Sequence, residues 1–116
     1  ILFRNKTIYK CDCEECCLQL LKGFSNKSHH LYTGMVFMIN NKTIKKTLSH
    51  TKINFNQNPQ GLIKSYVHKN FSKIKNAVGC YNIEGPAKIF FNNIEGSLYN
   101  IIGLDVLKFL RNLRSL

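Results

Sequence analysis

The sequence LYTGMVFMINNKTIKKTLSHTKINF, residues 31–55, contains two strand-like segments separated by an Asn-Asn pair. Residues 31–39 are rich in β-branched, aromatic and other large apolar side chains, a composition typical of a buried strand. Residues 43–55 alternate between apolar and polar side chains often enough to predict a second strand. Because Asn40 and Asn41 favour a tight turn, we expect the two strands to form a hairpin.

Helices are expected on both sides of this hairpin. Upstream, a short strand over residues 7–10 precedes a helix over residues 13–22, which Gly23 is expected to end. Downstream, Pro59 fits the first turn of a helix whose apolar face extends to about residue 69. The polar stretch 70–76 is typical of a loop.

The C-terminal third predicts one more strand and one more helix. Residues 88–91 form a short apolar segment, and the polar pair 92–93 is typical of a turn. A helix over residues 104–114 has leucines at three-residue intervals, and Asp105 can cap its first turn. Strands mixed with helices, without a low-complexity linker or an internal repeat, predict a single α/β domain over residues 1–116.

The composition bears on two other classes of protein. The formal net charge is +11, which raises the question of nucleic-acid binding. The lysines are spread from Lys6 to Lys108, however, and the abundance of lysine, asparagine and isoleucine is what AT-rich codons produce. Nucleic-acid binding is therefore the weaker interpretation. There is no run of about 18 apolar residues, so we expect no contact with a membrane and a cytoplasmic chain.

Four of the five cysteines fall within KCDCEECC, which ends at Cys17. Such a cluster could bind a soft metal ion. It could also be structural, because Asp12 and Glu15 fit a capping box while Cys13, Cys16 and Cys17 fall on one apolar helix face. We favour the buried helix face, since a regular helix brings only two or three of these thiols to one ion. No second Cys-x-x-Cys pair is present to complete a tetrahedral site, and the metal site stays open as the alternative.

Two segments resemble the Maf family of nucleotide pyrophosphatases: LLKGFSNKSHHLYTG, residues 20–34, and GCYNIEGPAKIFFNNIEGSLYNIIGL, residues 79–104. The family patterns are His-x-x-Tyr-Thr-Gly, then Gly-Ala-Tyr-Gly-Ile-Gln-Gly, then Ile-Glu-Gly-x-x-x-Asn-(Val/Ile)-(Val/Ile)-Gly-Leu-Pro. Three motifs agree in order and spacing, so the resemblance covers essentially the whole chain. The matching residues are His29, Tyr32, Thr33, Gly34, Gly79, Tyr81, Ile83, Gly85, Ile94, Glu95, Gly96, Asn100, Gly103 and Leu104.

The resemblance implies a fold and a degree of completeness. The fold would be a mixed sheet with flanking helices, like that of inosine triphosphate pyrophosphatases. The chain would be the C-terminal part of the family domain, truncated at its N-terminus and therefore a single incomplete domain. The family's catalytic Asp would fall a few residues before Ile1, so it is absent, as is the N-terminal phosphate-binding loop.

The resemblance also implies roles for individual residues. Lys10 would be a phosphate clamp, followed by Cys11 where the family has proline, and Glu84 would occupy the place of a family glutamine. No metal ligand is expected in this chain, although the family implies a Mg²⁺ or Mn²⁺ cofactor. Asp105 replaces a family proline and would start the last helix by capping it. The substrate-binding residues would be Thr33, Gly34, Gly79, Tyr81 and Gly85.

Each of these assignments has a structural alternative. Lys10 is as consistent with a solvated surface charge, and Glu84 with an exposed turn residue. Thr33 and Gly34 are as consistent with a turn at the start of a strand. The adjacent histidines 29 and 30 could donate to phosphate, but paired loop histidines are more often merely exposed. Glu95, Gly96 and Asn100 are interpreted as structural residues of the turn before the last helix.

The predicted function is hydrolysis of a nucleoside triphosphate to the monophosphate and pyrophosphate. The motif around Tyr81 is closer to a dTTP/UTP subgroup, whereas the carboxylate of Glu84 suits a modified nucleotide such as a methylated guanine. An alternative is a catalytically inactive remnant that binds nucleotide or dimerises, and a second alternative is a basic nucleic-acid-binding protein. The family implies a homodimer.

Overall fold

Strands and helices alternate along residues 1–115, the part of the chain that the computed structural model describes. The mixed α/β class with flanking helices is confirmed. The elements are β1 (Leu2–Phe3), β2 (Lys6–Thr7), α1 (Glu14–Phe24), β3 (Ser28–Ile39), β4 (Lys42–Phe55), α2 (Gln60–Ile74), a 3₁₀ turn (Pro86–Phe90), β5 (Phe91–Glu95), α3 (Leu98–Ile102) and α4 (Val106–Arg114). One sheet has the strand order β2-β1-β3-β4-β5, and its neighbouring strands are antiparallel.

The predicted hairpin is confirmed as the long β3–β4 pair. Asn40 and Asn41 both have positive φ, 51° and 63°, the backbone that a two-residue hairpin turn requires. β3 begins at Ser28 rather than at residue 31, because Ser28 still pairs with Asn54 across the ladder. The sequence underestimated this strand because its first residues are polar.

The first helix differs from the prediction at both ends. Its N-cap is Cys13 rather than Asp12, and the Cys13 sulfur accepts from the backbone N–H of Cys16 at 3.3 Å. The helix continues through Gly23 to Phe24. Cys13 and Cys16 are exposed, and the residues that face the core are Cys17, Leu21 and Phe24. The predicted apolar face was therefore wrong by part of a turn. The strand predicted at 7–10 ends at Thr7.

The second helix is longer than predicted. α2 continues to Ile74, so the loop assigned to residues 70–76 was wrong over most of its length. Ile74 is buried, and Phe71 packs against the core. The Asn70 side chain donates to the carbonyl of Tyr66 at 2.9 Å, which keeps this polar residue on the helix. The polar residues of the stretch lie on the solvent face, as in any amphipathic helix.

The C-terminal third is also redistributed. The segment predicted as a strand at 88–91 is mostly a 3₁₀ turn, and β5 follows it at Phe91–Glu95. Asn93 pairs with Asn54 of β4, so the polar pair at 92–93 lies inside a strand rather than in a turn. The helix predicted from residue 104 begins at Val106, after a separate short α3.

The core lies between the sheet and helices α1 and α2. Aromatic side chains dominate its centre: Phe24 and Phe55 meet edge to face with ring centroids 5.6 Å apart, and Tyr66 meets Phe90 at 4.9 Å. Full burial of one such side chain stabilises a fold by about 1.5–3 kcal/mol. No helix within residues 1–115 is long and apolar enough to cross a membrane.

Candidate functional site

A cleft of about 370 Å³ opens beside the turn formed by residues 79–85, called here the 79–85 turn. It lies between this turn, the first residue of the chain, the end of α2 and α3. Apolar side chains form much of its wall, and polar groups converge from the turn and from α2. The lining includes Ile1, Leu31, Lys73, Tyr81, Glu84 and Ile101.

The backbone of the 79–85 turn approaches the N-terminus of the chain closely. Gly79 has φ +86°, and a Cβ there would lie 2.8 Å from Ile1 Cδ1 and 2.8 Å from the Tyr81 ring. Gly79 is therefore required both by its backbone angle and by the space it occupies. Gly85, also predicted to need a special angle, has φ −101° and is in ordinary contact with the Asn82 carbonyl.

Tyr81 fixes the turn against the sheet. Its side chain is buried, and its hydroxyl lies 2.8 Å from His29 Nε2. Burial raises the pKa of Tyr81, so the hydroxyl stays protonated. Of the predicted substrate-binding residues, Tyr81 thus reaches the cleft while holding a structural hydrogen bond.

His29 and His30 both belong to β3, and the expectation that they are exposed loop residues was wrong. His29 is fully buried and stacks on Phe24 with ring centroids 4.0 Å apart. Burial, with smaller effects of His30 and the N-terminal ammonium, lowers the pKa of His29 to about 3. The ring is therefore neutral. His30 Nδ1 lies 2.8 Å from His50 Nε2, and partial burial followed by the charge of His50 lowers the pKa of His30.

The glutamate of the turn points to solvent at the rim of the cleft. Glu84 is exposed, and its backbone N–H donates to Asn82 Oδ1 at 3.0 Å. Lys73, in the last turn of α2, contributes a cation to the same cleft. Sequence reasoning missed Lys73 because it assigned residues 70–76 to a loop. The apolar spacing that continues from Val67 to Phe71 and Ile74 could have found it.

Lys10 lies outside the cleft lining. It is exposed in the segment after β2, and the adjacent Cys11 is buried against the core. The Cys11 sulfur lies within 4.8 Å of the sulfur of Cys80 in the 79–85 turn. The chain therefore passes beside the turn at Lys10, although its side chain extends into solvent.

Thr33 and Gly34 are not brought to this cleft. They lie in the interior of β3, opposite Ser49 and Leu48 of β4, and so they do not form a turn at the start of a strand. Asn100, by contrast, is buried and donates to Thr51 Oγ1 at 3.1 Å and to the Leu31 carbonyl at 3.3 Å. This side chain joins α3 to both central strands, as a structural residue does.

Gly96 and Glu95 stabilise the end of β5. Gly96 has φ +128°, and a Cβ there would lie 2.7 Å from the His50 carbonyl oxygen. The Glu95 carboxylate accepts from Asn54 Nδ2 at 3.0 Å and lies 3.7 Å from Lys52 Nζ. The hydrogen bond from Asn54, and then the charge of Lys52, lower the pKa of Glu95.

The motifs around this cleft agree with a comparison against known families. The family model described as "Maf-like protein" matches residues 1–116. The chain belongs to the Maf-like protein family. A dTTP/UTP pyrophosphatase of Clostridium tetani is 30% identical over 109 residues, which cover 93% of this chain and 56% of that protein. A dTTP/UTP pyrophosphatase of Bacillus cereus is 28% identical over 116 residues, covering 98% of this chain and 58% of that protein.

A third relative of the Maf-like chain has a broader name. A nucleoside triphosphate pyrophosphatase of a Ruegeria species is 29% identical over 96 residues, which cover 83% of this chain and 48% of that protein. The chain thus spans about half the length of the curated relatives it matches.

Where the Maf-like chain departs from the proline of the family pattern, a capping residue takes its place. Asp105 Oδ1 accepts from the backbone N–H of Lys108 at 3.2 Å, so α4 starts at the predicted cap. This is the side-chain geometry of an N-cap aspartate.

The cleft does not by itself fit a hard divalent cation. Mg²⁺ and Mn²⁺ prefer several oxygen ligands, usually from more than one carboxylate or phosphate. Among the residues described as lining the cleft, Glu84 is the one that carries a carboxylate. The chain therefore offers such an ion a single protein carboxylate here.

Proposed function

We propose that this chain supplies the C-terminal part of the active site of a nucleoside triphosphate pyrophosphatase. The reaction would cleave between the α and β phosphates and give a monophosphate and pyrophosphate, in the cytoplasm. The observation that carries the proposal is the 79–85 turn, whose closely packed backbone forms one wall of a cleft with Lys73 and Glu84 at its edge. The curated relatives named as pyrophosphatases support it.

The two kinds of wall in the cleft suit the two parts of a nucleotide. Leu31 and Ile101 offer apolar surface for a base or sugar, as ligand pockets commonly do. Lys73 would neutralise phosphate charge at the rim, and Lys10 would do so if its flexible side chain turns toward the 79–85 turn. Glu84 would accept hydrogen bonds from the base, because an ionised carboxylate only accepts.

A divalent cation, Mg²⁺ or Mn²⁺, belongs to the proposal for the complete enzyme. Such an ion would offset the negative charge that phosphoryl transfer concentrates on the phosphate oxygens. Since Glu84 is the one carboxylate lining the cleft, the other ligands would come from the substrate phosphates and from residues beyond these 116. Glu84 would then orient substrate at the rim of the cleft.

The proposal can be tested with a chimera. Residues 1–116 would replace the matching segment of the Clostridium tetani relative, and pyrophosphate release would be measured with dTTP, UTP and 7-methyl-GTP in the presence of Mg²⁺. We expect turnover of at least one of these nucleotides by the chimera. The 116-residue chain alone should release essentially no pyrophosphate, because one carboxylate at the cleft cannot form the catalytic centre.

A matched variant separates a working half-site from mere folding. Lys73→Met removes the cation at the cleft, whereas Lys69→Met removes an exposed lysine one turn earlier on the same helix. Only the first change should lower kcat/KM, by about 10-fold. A folded chimera without pyrophosphatase activity would instead support the inactive remnant.

The remnant hypothesis also accounts for one feature of the surface. The distal half of the hairpin and α4 expose large apolar side chains, among them Val36, Met38, Leu48 and Leu110. Exposed apolar surface of this kind is typical of association sites. We propose that the chain forms a homodimer, and light scattering at several protein concentrations would test this. A strictly monomeric chain would contradict it.

A further inference from the structure

Three buried thiols from distant parts of the chain meet next to the 79–85 turn. Cys11 follows β2, Cys17 lies in α1, and Cys80 belongs to the turn itself. Their sulfur atoms all lie within 4.8 Å of one another. No thiol of the three belongs to a side chain that is more than 5% exposed. Within residues 1–115 this is the one group of three metal-ligating side chains so close together.

The sulfur positions are close to those of a metal-thiolate site. Zn–S bonds of about 2.3 Å place the sulfurs of a tetrahedral site about 3.8 Å apart. The Cys17 and Cys80 sulfurs are 2.7 Å apart, and the other pairs lie within the 4.8 Å limit. Side-chain shifts of about 1 Å would therefore bring all three sulfurs to equal distances from one ion.

Packing as small hydrophobic side chains does not account for this arrangement. Free cysteines commonly fill cores, but neutral sulfurs in a core stay at van der Waals contact, and Cys17 and Cys80 approach more closely than that. A disulfide between Cys17 and Cys80 would account for this pair and leave Cys11 without a role. A bound cation accounts for all three.

A fourth thiol stands at the exposed side of the cluster. Cys16 is exposed, one residue before Cys17, and its hydrogen bond with Cys11 is the main reason that its pKa is raised to about 11. An ion held by the three buried sulfurs would thus have its remaining position directed toward Cys16 or water. Three protein ligands with one open or exchangeable position is a known arrangement for Zn²⁺.

We propose that Cys11, Cys17 and Cys80 bind one thiophilic cation of the Zn²⁺ class as thiolates, with Cys16 or water as the fourth ligand. Each thiol that becomes a ligand releases its proton to solvent, and no electron is transferred. The metal site that was the alternative for residues 11–17 is thereby completed by a residue more than sixty positions away. Sequence inspection could not place Cys80 there, because it lies in none of the usual ligand spacings.

The proposed ion would cross-link two pieces of the cleft region. Cys11 is adjacent to Lys10, and Cys80 is adjacent to Gly79 and Tyr81. Ligation would hold the segment after β2 against the 79–85 turn, which few other described contacts do. The metal proposal does not depend on the pyrophosphatase proposal, since it concerns binding by this chain alone.

The test uses the reduced 116-residue chain, purified without chelator. Co²⁺ is titrated first, because tetrahedral Co²⁺ with thiolate ligands has strong sulfur-to-metal charge-transfer and visible absorption bands. We expect one Co²⁺ per chain, and complete displacement of these bands by Zn²⁺. Absence of thiolate bands with reduced protein would overturn the proposal.

Serine variants identify the ligands. Cys80→Ser and Cys11→Ser should each weaken Zn²⁺ binding by about 100-fold or more, since even outer partners of a metal ligand are worth roughly 10- to 100-fold. Cys13→Ser is the matched control: Cys13 is exposed and caps α1, and serine keeps the cap. Circular dichroism establishes that each variant is folded, and Cys11→Ser, in an irregular segment, decides the matter if Cys80→Ser is not.

Two results would contradict the site. One is unchanged Zn²⁺ affinity in the folded Cys11→Ser variant. The other is a count of free thiols, made on chain unfolded without reductant, that is two short of the five cysteines. That count would show a Cys17–Cys80 disulfide in place of the metal site.

Discussion

Gly79 shows how a single residue determines the cleft. Its left-handed backbone costs other residues about 1–2 kcal/mol, and its missing side chain leaves the space that Ile1 and the Tyr81 ring occupy. The 79–85 turn therefore depends on glycine for two independent reasons, and the N-terminus of the chain packs directly on it.

Gly79→Ala is expected to lower the free energy of unfolding by about 2 kcal/mol or more, because backbone strain and overpacking add. Urea unfolding followed by circular dichroism measures it. Gly61→Ala is the control, since Gly61 lies in α2 and a Cβ added there would have nothing within 4 Å. Alanine there should stabilise the helix by about 0.4–1 kcal/mol. Equal losses in both variants would contradict this account.

His29 should make stability depend on pH. Its pKa is lowered from 6.5 to about 3 in the fold, so below pH 6.5 the unfolded chain binds a proton that the folded chain does not. Stability is therefore full above about pH 6.5 and falls as pH decreases toward 3, by up to about 1.4 kcal/mol per pH unit. Urea unfolding at a series of pH values measures this slope.

A substitution assigns the slope to its residue. His29→Gln keeps a partner for the Tyr81 hydroxyl but removes the titration, so the pH slope should become shallower by about one proton. His68→Gln changes an exposed histidine of α2 and should leave the slope nearly unaltered. If His29→Gln retains the full slope, other groups account for the acid sensitivity.

Glu84 is expected to select among nucleotides in the chimera. Glu84→Gln restores a side chain that both donates and accepts and removes a negative charge near the phosphates. Relative kcat/KM for dTTP or UTP over 7-methyl-GTP should rise by about 10-fold, equivalent to about 1.4 kcal/mol. Glu95→Gln is the control, because this carboxylate lies on β5 and contacts Lys52 and Asn54 instead. A ratio that changes equally in both variants would exclude selection by Glu84.

At the scale of elements, α4 depends on its cap more than on its packing. Asn112 is its one buried residue among those described, and leucines 107, 110 and 113 are exposed. The helix therefore gains little from the core, and the Asp105 hydrogen bond becomes a large part of its local stability.

Asp105→Ala should lower the local stability of α4 by about 1 kcal/mol. Amide hydrogen exchange in Val106–Arg114 measures the change, and it should be faster by about 5-fold. Asp105→Asn preserves the side-chain acceptor and should exchange nearly as the original chain does. Uniform acceleration over the whole chain would show a global effect instead.

Elements were predictable where local chemistry determines them. Asn40 and Asn41 set the hairpin turn through backbone preference, and Asp105 set the start of α4 through its side chain. The end of α2 was not predictable from polarity, because Asn70 lies on the solvent face of a helix that Ile74 anchors in the core. The contacts of Cys80 and Tyr81 need the folded chain, so the family motifs located the 79–85 turn but not its neighbours.

The whole molecule is elongated, 51 Å long and 26 Å across in both other directions. Its net charge of +11 is distributed over this body, since lysines occur in both hairpin strands, in α2 and in the loops. A spread charge of this kind attracts polyanions without presenting the concentrated basic face that nucleic-acid-binding domains use.

We therefore expect weak binding to DNA or RNA. Fluorescence anisotropy with a labelled oligonucleotide at physiological salt should give a Kd no tighter than about 1 μM, the range of non-specific binding. Sub-micromolar affinity with a steep salt dependence would instead favour the nucleic-acid-binding alternative.

The length of the β3–β4 hairpin has a consequence for the order of folding. Its two strands are joined by a two-residue turn, so their pairing closes almost no loop and should form early. The cleft is different, because Ile1 must meet Gly79 across nearly eighty residues of chain. We expect the hairpin to act as the template on which the rest assembles, and the contact between the N-terminus and the 79–85 turn to be among the last that the chain completes.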